Sequence, residues 1–210
     1  MFDLIIIGAG GFAKSVVESI DRKLYHLIGF IDDFKNENIH IGYPILGKSI
    51  DEIKNPKDYV YFIAIGNNDK RKMWYKELKA RKLKLVNIID KSSIISDNAK
   101  IGEGCFIGKM VVVNNTAIIG NNCIVNTRAL VEHGCKIGDH VNISTNTVLN
   151  GDVQVEDNSF IGSCSVINGQ CCIGNNVIIG SGSVVTKSIE SNTTAVGIPA
   201  KVIKKDGKRI

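Results

Sequence analysis

The chain has 210 residues and a formal net charge of +5, with 44% hydrophobic and 22% charged side chains. That balance excludes a disordered chain, its 21 Gly lack the strict spacing of collagen, and no run of about 18 apolar residues exists to span a membrane. Nucleic-acid binding is disfavoured, because the body of the chain shows no broad basic face with interleaved aromatics. The six Cys form no CxxC and no metal-ligand spacing, which fits a reducing compartment.

The opening Met1-Phe2-Asp3-Leu4-Ile5-Ile6-Ile7-Gly8 has no basic leader, and Gly8 ends its apolar run. It therefore predicts a cytoplasmic chain and not a signal peptide. Leu4 to Ile7 reads as a buried strand, and Gly8-Ala9-Gly10-Gly11-Phe12-Ala13 as a turn opening a helix to about Ile20. Leu27 to Ile31 is a second strand ending at Asp32-Asp33, and Tyr59 to Ile65 a third ending at Gly66-Asn67-Asn68. A lysine-rich amphipathic helix follows from Asp69 to Lys82. The Gly-rich turn fits GxGxx(G/A), with the acidic pair about 20 residues on. Three readings stand: a tight turn for packing, a nucleotide or sugar site at a helix N-terminus, or a dinucleotide site. About 85 residues make only half of the usual double unit, which argues against complete NAD chemistry.

From Ile89 the chain becomes periodic. Every sixth residue from Ile89 to Val185 is Ile, Val or Leu, without insertion. Four residues after each aliphatic comes a small one, from Ala99 through Cys105, Ala117, Cys123, Ala129 and Cys135 to Ser183. Gly often follows the aliphatic, as in Ile101-Gly102, Ile119-Gly120 and Ile137-Gly138, where a left-handed corner is expected. Each hexapeptide gives a short strand and a corner, three walls give an 18-residue coil, and coils stack at about 4.8 Å. Stability then comes from stacked neighbours. Cys105, Cys123, Cys135 and Cys171 fall in the small inward column as buried fillers. Cys164 and Cys172 lie off it.

The stacking aligns residues 18 apart. Asn114, Glu132, Asn150 and Asn168 form one edge ladder, which could satisfy corner backbone groups or bind a ligand. Asn126, Ser144, Gly162 and Gly180 form another, whose shrinking side chains would open a groove. The four histidines are His26, His40, His133 and His140. His133 is two residues past inward Val131, so it points outward near a corner. His140 also leaves the inward column and reads as surface. The end of the chain is basic, with Lys201, Lys204, Lys205, Lys208 and Arg209 against Asp206. It is either a solvated end or a site for a phosphorylated ligand.

The repeat resembles the left-handed parallel β-helix of the hexapeptide-repeat acyltransferases, and the handedness rests on that resemblance. A short Rossmann-like α/β unit followed by hexapeptides is similar to bacterial sugar acetyltransferases of the NeuD/PglD type. The likeness covers essentially the whole chain: Ile6-Ile7-Gly8-Ala9-Gly10-Gly11-Phe12-Ala13-Lys14, Gly29-Phe30-Ile31-Asp32-Asp33, the repeats, and Val196-Gly197-Ile198-Pro199-Ala200-Lys201. The stretch from Val125 to Gly134, with Asn142 to Asn146 and Leu149 to Val153, looks closest to the sialic acid O-acetyltransferase branch.

The resemblance implies a sugar/nucleotide-binding subdomain over 1–88, a β-helix acyltransferase domain over 89–188 and a coenzyme-contacting tail over 189–210. It implies acetyl-CoA as co-substrate, no metal, a small sugar acceptor and a homotrimer with sites between subunits. His133 falls on the family's catalytic His and would act as general base. The family places an acid after that His and a second, coenzyme-touching His nine residues on; here these are Gly134 and Asn142. Glu132 or Asp152 is expected to replace the acid. Gly151 would face the thioester carbonyl, Asn126, Asn142, Ser163 and Ser181 would line the coenzyme, and Pro199 and Lys201 would meet its adenine end. Gly8, Gly10, Gly11, Lys14, Asp32, Asp33, Asn67 and Arg71 would hold the acceptor. The expected reaction is O-acetylation of free or CMP-linked sialic acid, with N-acetylation of a nucleotide-linked 4-amino-4,6-dideoxy sugar as the alternative. Two other classes compete. One is a zinc β-helix enzyme, which needs three His where the repeats offer His133 and His140; the other is a non-catalytic sugar-nucleotide binder.

Overall fold

The computed structural model describes residues 1–34 and 38–210. The N-terminal unit is a sheet with a helix on each side. Its elements are β1 (Phe2–Ile7), α1 (Gly11–Glu18), β2 (Tyr25–Ile31), β3 (Ile39–His40), β4 (Tyr43–Gly47), β5 (Val60–Ile63), α2 (Asn68–Ala80) and β6 (Lys84–Leu85). The strand order is β3-β4-β2-β1-β5-β6, parallel except between β3 and β4. Leu4, Ile5, Ile6 and Ile7 are at most 1% exposed, as a strand covered on both faces requires. In α1, Ala13, Val16 and Val17 share one helical face and are buried. The strands and helices expected from the sequence are present; β3, β4 and β6 were not anticipated.

The rest is the left-handed β-helix. Two-residue strands alternate among three walls, and each pairs in parallel with the strand 18 residues on, as in Ile107↔Val125, Val113↔Val131 and Ile119↔Ile137. The first wall runs from Ile88–Ile89 to Ile178–Ile179, the second from Ile94–Ile95 to Val184–Val185, and the third from Lys100–Ile101 to Cys172–Ile173. The aliphatic column and the small column together form the axial core, with Cys105, Cys123, Cys135 and Cys171 inside it. The first residue of the column is a correction: Ile89 is 38% exposed, because no earlier coil covers it.

The corners also differ from expectation. The left-handed residues are not the glycines after the aliphatics. They stand three places after each aliphatic from Ile101 to Ile179, at Gly104, Met110, Thr116, Asn122, Arg128, Gly134, His140, Asn146, Asp152, Asn158, Cys164, Gln170, Asn176 and Gly182. The glycines after the aliphatics are small for another reason. A Cβ on Gly120 would lie 2.7 Å from the Gly138 carbonyl of the next coil. The same crowding applies at Gly162 and Gly180, in the ladder with Asn126 and Ser144. A Cβ on Gly162 would lie 2.5 Å from Ser181 N, and one on Gly180 2.6 Å from Val196.

The N-terminal unit docks on the first wall and on the corner between the third and first walls. Outward Ile88, Phe106 and Ile124 share a core with Ala13, Val16 and Phe62. The Phe12 and Phe106 rings meet edge-on at 5.1 Å. After the last coil, Thr193–Gly197 continues the first wall and turns back through Ala200–Lys205 to Lys208–Arg209. Among the described residues, no helix is long and apolar enough to cross a membrane.

Candidate active site

Two candidate centres emerge, on different parts of the molecule. The first is the corner between the second and third walls. His133 stands there outward and exposed. Its ring lies against the backbone of the next coil: a Cβ on Gly151 would fall 2.6 Å from His133 Cε1 and 2.8 Å from Nε2. Only a glycine at 151 gives the imidazole this seat. Asp152 N–H donates to the His133 carbonyl at 2.9 Å and ties the two coils together at the corner. Asn114 Nδ2 donates to Glu132 Oε2 at 2.9 Å, so the edge ladder is physically formed there. Among the described residues, neither ring nitrogen of His133 is hydrogen-bonded, and no carboxylate touches the ring.

The second centre is a cavity of about 460 Å³ at the C-terminal ends of β1, β2 and β5, the usual place for a ligand in a parallel sheet. Gly8, Gly10, Gly11, Asp32 and Asp33 line it. Asp32 also organises the turn: Ala9 N–H donates to its Oδ2 at 2.6 Å and Phe34 N–H to its Oδ1 at 2.9 Å. Among the lining residues that the sequence reading did not assign to the site are Phe34, Lys70, Met73 and Trp74. The last three recur at helical spacing, which was a usable signal. Lys70 Nζ sits 4.5 Å from the centre of the Phe34 ring.

Three acceptor residues expected in this cavity lie outside its lining. Lys14 is exposed elsewhere on α1. Asn67 caps α2 by accepting from Lys70 N–H at 3.0 Å. Arg71 is the clearest correction, at 1% exposure. It donates to the carbonyls of Asn122 (2.9 Å), His140 (2.8 Å), Ile65 (3.2 Å) and Gly66 (3.2 Å), and to Asn68 Oδ1 at 3.0 Å. Burial pulls its pKa down to about 10, which leaves it charged at neutral pH. It holds the two units together and cannot reach a sugar.

His140 is a second correction. It is 6% exposed, not a surface residue. Asn122 Nδ2 lies 2.9 Å from its Nδ1, and the Tyr75 ring packs edge-on at 5.2 Å. Burial pushes its pKa down, so the ring is held neutral. It occupies the corner between the third and first walls, one corner away from His133, so the two imidazoles do not converge as metal ligands would.

Among the expected coenzyme residues, Asn126, Ser163 and Ser181 share the corner between the first and second walls, while Gly151 lies beside His133. Pro199 and Lys201 are exposed on the terminal hairpin. Asn142 departs from expectation. It is 6% exposed on the first wall, with Nδ2 3.4 Å from the Gly66 carbonyl, so the N-terminal unit covers it.

A coil of hexapeptides with an outward imidazole on one corner, joined to a sheet with a ligand-sized cavity, defines the hexapeptide-repeat acyltransferase class. The PglD N-terminal domain family matches residues 3–78, and the GMPPB C-terminal domain family matches residues 84–170. The chain is 35% identical over 114 residues to UDP-N-acetylbacillosamine N-acetyltransferase of Bacillus subtilis; this stretch is 51% of the chain and about half (51%) of that curated relative. The acetyltransferase domain of PglB from Neisseria gonorrhoeae superposes with a TM-score of 0.91 at 30% identity, covering 96% of this chain and 100% of that one. PerB from Caulobacter crescentus, solved with CoA and GDP-perosamine, superposes with a TM-score of 0.88 at 29% identity over 95% and 96% of the two chains. The chain belongs to the PglD-type family of sugar acetyltransferases.

Proposed function

We propose that the chain transfers an acetyl group from acetyl-CoA to the amine of a nucleotide-linked amino sugar, with His133 as general base. The observation that carries this reading is the outward His133 ring seated on Gly151 at an exposed corner. The choice of amine over hydroxyl follows the relatives, one named a UDP-N-acetylbacillosamine N-acetyltransferase and another solved with CoA and GDP-perosamine. The sialic acid reading therefore gives way to its alternative. In the reaction His133 takes a proton from the sugar amine as the nitrogen attacks the thioester carbonyl. The tetrahedral intermediate carries an oxyanion, for which the Gly151 N–H, unbonded within the described chain, is a suitable donor. Collapse expels the CoA thiolate, which takes up the proton, leaving an amide and free CoA.

The acceptor cavity belongs to a unit docked on the first wall and the third–first corner, whereas His133 occupies the opposite corner of the prism. One chain alone thus separates base from acceptor. The second wall, which borders the His133 corner, presents Ile94, Val112, Leu130, Val148, Val166 and Val184 outward, with Ile94 67% exposed. An apolar row of this kind favours a homotrimer in which a neighbouring copy covers that wall and brings its cavity to His133. Asn126, Ser163, Ser181, Pro199 and Lys201 remain the proposed coenzyme contacts.

The test is thiol release from acetyl-CoA with a set of UDP- and GDP-linked amino sugars, sialic acid and CMP-sialic acid. Turnover with an amino-sugar nucleotide, lost in His133→Ala, is expected. Turnover with sialic acid alone, or undiminished turnover in His133→Ala, would contradict the reading.

A further inference from the structure

The corner that carries His133 holds two carboxylates, and their surroundings differ. Glu132 is committed: its Oε2 accepts from Asn114 Nδ2 at 2.9 Å and from the His133 peptide N–H at 3.3 Å. Asp152 stands directly under the corner, with φ of 61° and its N–H bonded to the His133 carbonyl. Its side chain leans back toward the coil of His133. Oδ1 fills the volume where residue 134 would carry its Cβ, so any side chain on Gly134 would overlap it. The His133 ring leans the other way, onto Gly151. Ring and carboxylate therefore pass each other in adjacent slots of the same two coils. The Asp152 carboxylate accepts no hydrogen bond among the described residues, and the His133 ring donates none.

We propose that Asp152 is the positioning residue for His133, a carboxylate supplied by the following coil through the gap left by Gly134. A turn of the two side chains toward each other in the loaded site lets the carboxylate accept the Nδ1–H of the imidazole, which fixes the tautomer whose Nε2 is free to take the amine proton. The proposal rests on the reading of His133 as base. Gly134 is part of the device, because its bare α-carbon admits the carboxylate and its φ of 68° is one that Asp also tolerates.

That tolerance allows the carboxylate to be moved. The experiment compares wild type, Asp152→Asn, Asp152→Gly, the double variant Gly134→Asp/Asp152→Gly and His133→Ala, in steady-state CoA release with whichever amino-sugar nucleotide of the panel above the wild type turns over. Asp152→Asn and Asp152→Gly are expected to lower kcat about 10- to 100-fold, with KM for both substrates within about twofold, as loss of an orienting partner does. The double variant is expected to regain at least about tenfold over Asp152→Gly, because the carboxylate returns to the same volume from the other coil. Asp152→Asn within about twofold of wild-type kcat, or a folded double variant that regains nothing, overturns the proposal. If His133→Ala retains turnover, it is the base reading that fails, whatever the Asp152 variants do.

Discussion

The β-helix and the N-terminal unit are built by opposite rules. In the β-helix each residue's environment repeats every six positions, so one requirement selects one column: aliphatic inward, small inward, left-handed corner. In the N-terminal unit nothing repeats, and its attachment to the coils combines one local apolar core with a few individual polar residues. Arg71 is the extreme case, a buried cation satisfied by backbone carbonyls and one side-chain amide. Periodic structure spreads its stability over many equivalent contacts, whereas the docked unit concentrates it.

The largest expected effect breaks the concentrated side. Arg71→Ala strips the buried Asn122 and His140 carbonyls of a donor and is expected to cost about 3–5 kcal/mol. Thermal unfolding of the variant should split into two steps, with the N-terminal unit melting first. A single cooperative transition near the wild-type Tm would show that the docking does not depend on Arg71.

Leu149→Ala probes the distributed side. Leu149 is 0% exposed in the axial core, and the cavity is expected to cost about 3 kcal/mol. Here urea unfolding should lower the midpoint while keeping one transition. Separate melting of the N-terminal unit in this variant would blur the contrast.

Gly151→Ala sharpens the contrast at the active corner. Its Cβ would enter the volume of the His133 ring, so kcat is expected to fall about 10²-fold from misplacement alone, with Tm close to wild type. Unchanged kcat would mean that the ring does not work from this seat.

The smallest effect concerns His140, where the two regions meet. Burial depresses its pKa below the ordinary 6.5; Lys72 and Arg71 press the same way, while Asp139 and Asp157 oppose them. The unfolded chain therefore binds the extra proton first as pH falls through 6.5, and stability drops over that interval. Tm followed from about pH 8 to about pH 5 should decline less steeply in His140→Gln. Parallel curves for the two proteins would remove His140 as the cause.

How much was legible beforehand follows the same division. The β-helix, its walls and the outward place of His133 follow from spacing, because each column answers to one physical constraint. The position of the left-handed residues was misread, since glycine is used in this coil chiefly for close approach and the left-handed place is filled mostly by other residues, Asn among them. Arg71 and His140 were misread because their partners leave no signature: Arg71 binds the carbonyls of residues 51 and 69 places away, and any residue type supplies a carbonyl. Lys70, Met73 and Trp74 were legible in principle from their shared helical face. The acceptor was not, because the same imidazole serves a hydroxyl and an amine.

The central claim is that base and acceptor cavity come from different copies of the chain. Subunit complementation tests it most directly. His133→Ala removes the base; Gly10→Tyr fills the cavity from a position whose Cβ meets nothing within 4 Å. Each variant alone should be inactive. When the two are unfolded together and refolded as mixed oligomers, CoA release should reappear, because some interfaces pair an intact corner with an intact cavity. Mixed oligomers that form and stay inactive would place both halves of the site within one chain and contradict the account.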